Sequence, residues 1–270
     1  MDLGLDGRVY VLTGASRGLG FATAQCLVAD GAHVVISSRD AEKVQAAVDA
    51  LNTPASAGAL TQSGDAERAG RPHATGLEAD LADPSAPQRL IDAAEATFGR
   101  LDGALLSVGG PPRGTAAEVT DDQWRAAFET VFLGGVRAAR AVLAQLGSGG
   151  AVGFVLSSSA RTPVPGLGIS NGLRPGLAGV VKDMADEYGP RGVRVFGMLP
   201  HRILTDRNRE LFAATGDAAA AQAEAEATIP LRRLGDPAEF GRVGAFLLSP
   251  AASYLTGLSL PVDGGAMRVI

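Results

Sequence analysis

The residues with the clearest chemical purpose are Thr13-Gly14-Ala15-Ser16-Arg17-Gly18-Leu19-Gly20, lying between an apolar strand and a helical pattern. Glycine at Gly14, Gly18 and Gly20 allows a tight turn, close backbone approach to a pyrophosphate and close helix–strand packing. A helix opening near Gly18 aims unpaired N–H groups and the positive end of its dipole at bound phosphates. With a strand before it and a helix after it, the turn reads as a dinucleotide-binding site.

Such a turn needs a frame that holds strand ends together. Val9-Tyr10-Val11-Leu12 reads as the first strand and His33-Val34-Val35-Ile36-Ser37 as the second, followed by 76–79, 103–106, 151–156, 193–198 and 258–262. These runs are continuously apolar rather than alternating, which marks strands covered on both faces. Helical patterns over 19–30, 41–51, 84–98, 121–146 and 237–248 separate them. This alternation predicts an α/β fold, a Rossmann-type doubly wound, seven-stranded parallel sheet with helices on both faces. Residues 1–270 are expected to form a single dinucleotide-binding domain. Its polar stretch 52–72 reads as a surface excursion, and 201–230, with an Ala- and Glu-rich part, as a helical lid over the carboxyl ends of the strands.

Composition narrows the function classes. A chain of 270 residues, 46% hydrophobic and 20% charged, is large enough for a full core. Its apolar stretches are broken by Gly, Arg or Asp, so no membrane span is expected, and residues 1–6 lack the pattern of a signal peptide. A net charge of −5 argues against a nucleic-acid partner. Cys26 stands alone, which excludes an internal disulfide and fits a cytoplasmic location. The three histidines are far apart, so no metal site is expected.

The spacing Thr-Gly-x-x-x-Gly-x-Gly resembles that of the short-chain dehydrogenase/reductase family, and the resemblance runs nearly end to end. Asp80-Leu81 follows the third strand, where that family contacts adenine. Pro200-His201-Arg202-Ile203-Leu204-Thr205 resembles its nicotinamide loop, usually Pro-Gly-x-Ile-x-Thr. Segments 229–237 and 253–257 lead to Val262-Asp263-Gly264-Gly265, as in its C-terminal pattern. The resemblance implies a cofactor site drawn from Gly14, Ser16, Arg17, Gly18, Leu19, Gly20, Ser38, Arg39, Asp80, Leu81, Ser107, Val108, Gly109, Arg174, Pro200, Ile203 and Thr205. It also implies a small-molecule substrate, and a homodimer or homotetramer built through the helices near 121–146 and 174–188.

The end of the second strand separates NAD from NADP, because an acid there binds a ribose 2′-hydroxyl and repels a 2′-phosphate. Here that position is Ser38, followed by Arg39, with Arg17 in the glycine turn. Guanidinium groups present paired donors to a phosphate dianion, so NADP is the expected cofactor. The alternative for Arg39 is a solvated surface residue pairing with Asp40.

The catalytic set is where the chain departs from the resembled family, whose members use Ser, Tyr, Lys and Asn. The only tyrosines are Tyr10, Tyr188 and Tyr254, the only lysines Lys43 and Lys182, and no Tyr precedes a Lys by four residues. Ser170 takes the Tyr position, Arg174 the Lys position and Phe132 the Asn position. The serine is retained within 157–159 as Ser158, with Ser157 as the alternative if a one-residue gap intervenes. Arg174 keeps a charge for ribose hydroxyls but no proton to give near neutral pH, and a serine hydroxyl is far less acidic than a phenol. Pro175 opposes a helix already running through Arg174, so the helix is expected to start near 171–174, with Ser170 or Asn171 as its cap. The substitute acid is His201, the side chain best matched to proton transfer at neutral pH; a solvent-facing loop histidine is the alternative.

Together these residues predict an NADP(H)-dependent oxidoreductase reducing an activated carbonyl, imine or enone, with Ser158, Ser170, Arg174 and His201 as its candidate catalytic residues. An NADP(H)-binding protein without turnover and a non-redox lyase or isomerase remain as alternatives. Leu211-Phe212 and Pro163-Val164-Pro165 are expected to shape an apolar pocket without a charged anchor.

Overall fold

The computed structural model describes residues 2–53 and 72–268. The excursion expected at 52–72 lies, for 54–71, outside the described residues. Seven parallel strands run in the order β3-β2-β1-β4-β5-β6-β7: β1 Val9–Leu12, β2 His33–Ser38, β3 Ala74–Glu78, β4 Gly103–Leu106, β5 Ala151–Val155, β6 Arg194–Pro200 and β7 Ser259–Val262. The strand order reverses direction between β1 and β4, and the crevice outside the carboxyl ends there is where such sheets take ligands.

Alternate residues of β1 serve two cores. Val9 and Val11 face one apolar cluster, and Tyr10 and Leu12 face the other. Helices α3 (Ala86–Phe98), α5 (Gly134–Gln145) and α6 (Gly168–Tyr188) contribute to the first, whereas α1 (Gly18–Ala29), α2 (Ala41–Leu51) and α9 (Pro237–Leu248) contribute to the second. Burial on both faces explains why the strands read as unbroken apolar runs.

The helix expected over 121–146 forms as α4 (Asp121–Ala127), a π-helical stretch Phe128–Leu133, and α5. A capping box between Thr120 and Gln123 starts it. Gly134 lets it approach the β3–α3 loop, since a Cβ there would lie 2.6 Å from the Leu81 carbonyl oxygen. The Trp124 ring packs on Gly172 of α6.

Helix α6 corrects one expectation. It begins at Gly168, not near 171–174, and runs straight through Pro175. Its first turn is held from outside: Gly168 N–H donates to the Gly114 carbonyl at 2.8 Å, and the Asn171 side-chain amide exchanges two 2.9 Å bonds with the Val164 backbone. Pro175 lies on the exposed side, while Ile169, Leu173, Leu177 and Val181 are buried. Burying each such side chain contributes about 1.5–3 kcal/mol, which together outweighs the ~3 kcal/mol cost of an interior proline.

Between β6 and α9 the chain makes α7 (Asp206–Ala213) and α8 (Ala218–Ala227). They close over a third, smaller core of Phe212, Ala225, Ile229 and Leu234. The ends of this segment are pinned side by side, with Leu204 N–H donating to the Gly235 carbonyl at 2.8 Å and Gly235 N–H to the Arg202 carbonyl at 3.0 Å. Among the described residues, no helix is long and apolar enough to cross a membrane.

Candidate active site

The glycine turn leaves β1 at the strand-order reversal and is fastened to the end of β4. Thr13 Oγ1 donates to the Ser107 carbonyl at 2.8 Å and accepts the Ser107 N–H at 2.9 Å. Gly14 has φ +57°, and a Cβ there would lie 2.5 Å from the Ser107 carbonyl oxygen. Gly18 has φ +63° and opens α1; a Cβ on Gly20 would lie 2.9 Å from the Gly14 carbonyl oxygen. Side chains would strain or block each position. No side chain caps α1 and its first turn holds no acid, so its leading N–H groups are available to an anion. Thr205 closes on the turn from the β6 side, its methyl 3.8 Å from where a Cβ on Gly18 would sit. These features fit a pyrophosphate.

Two clefts meet at this turn, sharing Gly14, Arg17, Ser107, Val108 and Gly109 on their walls. The larger, about 600 Å³, is bordered by Ser16, Ser38, Arg39, Asp80 and Leu81. Asp80 accepts the Ala82 N–H at 3.0 Å through one carboxylate oxygen. Arg39 does not pair with Asp40, because Asp40 caps α2 through the Lys43 N–H and also pairs with the Lys43 ammonium. The Arg39 guanidinium therefore stays at the cleft, beside Ser38 and without an acid at the end of β2.

The second cleft, about 350 Å³, carries Leu19, Pro200, Ile203 and Thr205 together with Ser157, Ser170, Arg174 and His201. The serine run after β5 splits three ways. Ser157 lines the cleft. Ser158 is buried, its Oγ 3.1 Å from His201 Nδ1. Ser159 is buried with its Oγ 2.8 Å from that of Ser170. The cleft-facing serine is thus the alternative, Ser157, while Ser158 reaches the site through His201.

His201 is half-buried on the cleft wall. Burial, and then the Arg202 charge, hold its pKa below the usual histidine value, against an opposing pull from Asp263. The neutral ring therefore dominates at pH 7.

Ser170 is no helix cap. It stands inside α6 one turn before Arg174, and both are buried. Arg174 donates from Nη1 to the Val155 carbonyl at 2.9 Å, whereas its buried Nε finds no partner. Burial first, and the Arg207 charge second, push its pKa down to about 10. A buried guanidinium with an unmet donor, and no carboxylate on it, is what a site for sugar hydroxyls requires. Phe132, at the expected Asn position, stacks on Phe128 with centroids 5.2 Å apart and packs toward Gly176.

Charge in this cleft is what the sequence reading missed. Arg113, from the β4–α4 loop, and Arg207, on α7, both line it. A Cβ on Gly110 would overlap the Arg207 guanidinium, so the glycine makes room for it. Leu211 lines the cleft as expected, but Phe212 belongs to the small core, and Pro163–Pro165 stand off the wall. The available signal was the density of arginine in Pro111-Pro112-Arg113 and Arg207-Asn208-Arg209 beside otherwise apolar walls.

A profile for a family described as enoyl-(acyl carrier protein) reductase matches residues 14–267. An uncharacterised oxidoreductase of Mycobacterium tuberculosis is 34% identical over 266 residues, 97% of this chain and 92% of that protein. An NADPH-bound short-chain oxidoreductase from Pseudomonas aeruginosa PAO1, described as containing an atypical catalytic center, is 31% identical with a TM-score of 0.86, covering 97% of this chain and 98% of that one. L-Sorbose reductase from Gluconobacter frateurii, complexed with NADPH and L-sorbose, is 26% identical with a TM-score of 0.88, covering 100% of both chains.

Proposed function

The chain belongs to the short-chain dehydrogenase/reductase family, and on that premise we propose that it is an NADP(H)-dependent reductase of activated carbonyls, imines or enones. The observation that carries this reading is one cleft in which the glycine turn, Ser157, the Ser158–His201 pair and the orphaned Nε of Arg174 converge.

In this reading the N–H groups around Gly14–Gly20 hold the pyrophosphate, and Arg17, Ser38 and Arg39 hold the 2′-phosphate. Asp80 and Leu81 border adenine; Ser107, Val108, Gly109, Pro200, Ile203 and Thr205 line the remaining cofactor path. Arg174 takes the ribose hydroxyls that a lysine holds in the resembled pattern. Bound dihydronicotinamide supplies a hydride. Ser157 donates a hydrogen bond to the reacting oxygen or nitrogen of the substrate. Ser158 Oγ and His201 Nδ1 share the 3.1 Å bond, Nδ1 accepting when the ring is neutral and donating when it is protonated, and the imidazolium gives its Nε2 proton to complete reduction, which leaves the neutral ring. Because that ring is mostly neutral at pH 7, the chemistry suits substrates that need little acid assistance. The α7–α8 segment serves as the lid.

The test is a spectrophotometric screen for NADPH oxidation across aldehydes, activated ketones, imines and enones. Consumption with at least one class is expected. NADPH binding with no consumption anywhere would replace the reductase by a second reading, binding without turnover. That reading draws on Ser159 and Ser170, whose hydroxyls satisfy each other at 2.8 Å where a proton donor would otherwise stand.

A further inference from the structure

The smaller cleft is cationic beyond what its cofactor requires. Arg113 and Arg207 line it alongside Arg17 and Arg174, yet neither Arg113 nor Arg207 makes an ion pair with any described residue. Asp206 is the single carboxylate among the lining residues, and it is engaged by Arg209 at 3.3 Å. Arg207 is held over Gly110, near enough to Arg174 for the two charges to oppose each other. Like charges gathered on a cleft wall without counter-charges create a field that an oxyanion relieves. A guanidinium binds a carboxylate or phosphate through paired donors, which gives orientation as well as affinity.

Two sources could bring that anion: the cofactor's phosphates or the substrate. Arg113 and Arg207 border only the cleft containing Ser157, Ser170 and His201, whereas Arg39, Ser38 and Ser16 border only the other. We propose that Arg113 and Arg207 form a substrate-anchoring pair and that the molecule reduced here carries a carboxylate. The inference takes the location of the reacting group from the reductase reading. The anchor would fix the substrate's far end, leaving its carbonyl or alkene carbon beside Ser157 and His201. Both arginines are exposed in the open cleft, so replacing them does not threaten the core.

Binding to the NADP⁺-loaded protein, where no reduction can occur, separates this inference from the reductase reading. The probes are 4-formylbenzoate and 4-acetylbenzoate, each against its methyl ester, measured by calorimetry. At least one acid should bind roughly tenfold more tightly than its ester, the order expected for a charge-assisted bidentate contact. Arg113→Gln and Arg207→Gln should each reduce that preference by about threefold or more, with ester affinity and the NADPH dissociation constant within about twofold of the parent. Acids binding no better than esters, or neither binding, overturns the inference. So does loss of NADPH affinity in either variant, which would assign the pair to cofactor phosphate. An acid preference without NADPH oxidation would retain the anchor and remove the reductase; NADPH oxidation with no acid preference would do the reverse.

Discussion

Arg17 of the glycine turn and Glu210 of α7 meet across the mouth of the clefts, Nη1 to Oε1 at 3.5 Å. Both side chains are more than half exposed, so the pair contributes little to stability. Its interest lies in occupying a guanidinium assigned to the 2′-phosphate. Glu210→Gln should therefore tighten NADPH binding by about two- to fivefold at low ionic strength, the gain shrinking as salt rises. Fluorescence titration at two salt concentrations measures this. Unchanged affinity at low salt would remove Arg17 from the phosphate site.

If Ser38 and Arg39 hold a 2′-phosphate, their replacement shifts cofactor choice. Arg39→Ala should weaken NADPH by roughly tenfold, in line with losing one charge-assisted contact, while leaving NADH within about twofold. Ser38→Asp should move preference further towards NADH. Parallel titrations with both cofactors decide the matter, and an equal loss for each would sink the assignment.

His201 gives a pH signature with a definite sign. Its pKa is lowered in the folded protein, chiefly by burial, so the imidazolium supply falls as pH rises through a value below 6.5. If that ion delivers the proton, kcat/KM should fall with rising pH across this limb, and His201→Gln should flatten the limb. The linked stability effect runs the other way. The unfolded chain binds the proton more readily, so this group's contribution is full above the unfolded pKa of about 6.5 and is lost as pH falls towards the folded value. Denaturant melts from pH 5 to 8, with and without the substitution, check the second half.

Ser170 stands at the expected acid position yet is tied to Ser159 by a buried hydrogen bond. Ser170→Ala should cost about 1–2 kcal/mol of stability, the usual range for stranding a buried hydroxyl partner, and leave kcat within about twofold. A large loss of kcat with normal cofactor affinity would restore Ser170 as the acid.

Pro175 interrupts the N–H ladder of α6 on its exposed side. Pro175→Ala should return a donor to the Asn171 carbonyl and raise stability by about 1–3 kcal/mol, or several degrees in Tm. A lower Tm would mean that the helix depends on the proline's rigidity.

What was legible in the sequence was whatever local patterning dictates. Val9–Leu12 and Gly103–Leu106 stand out because all their residues are buried and nearly all are apolar, and the glycine turn because Gly adopts φ near +57° and +63° at Gly14 and Gly18 without strain. The start of α6 was not legible, since it rests on Gly114 and Val164 reaching in from loops. The division among Ser157, Ser158 and Ser159 depends on where His201 and Ser170 arrive from other strand and helix ends. Arg207 gains its meaning only once α7 folds back onto Gly110, a pairing that no spacing along the chain encodes.

The segment holding α7 and α8 enters and leaves through neighbouring backbone positions, and its apolar side chains close largely on one another. Such a piece behaves as a cassette. Its inner face can be redrawn, or the whole insert grafted from a relative, while the sheet beneath keeps its register. Replacing its cleft-facing residues, Arg207 and Leu211, therefore leaves the bonds that fasten the glycine turn to Ser107 in place.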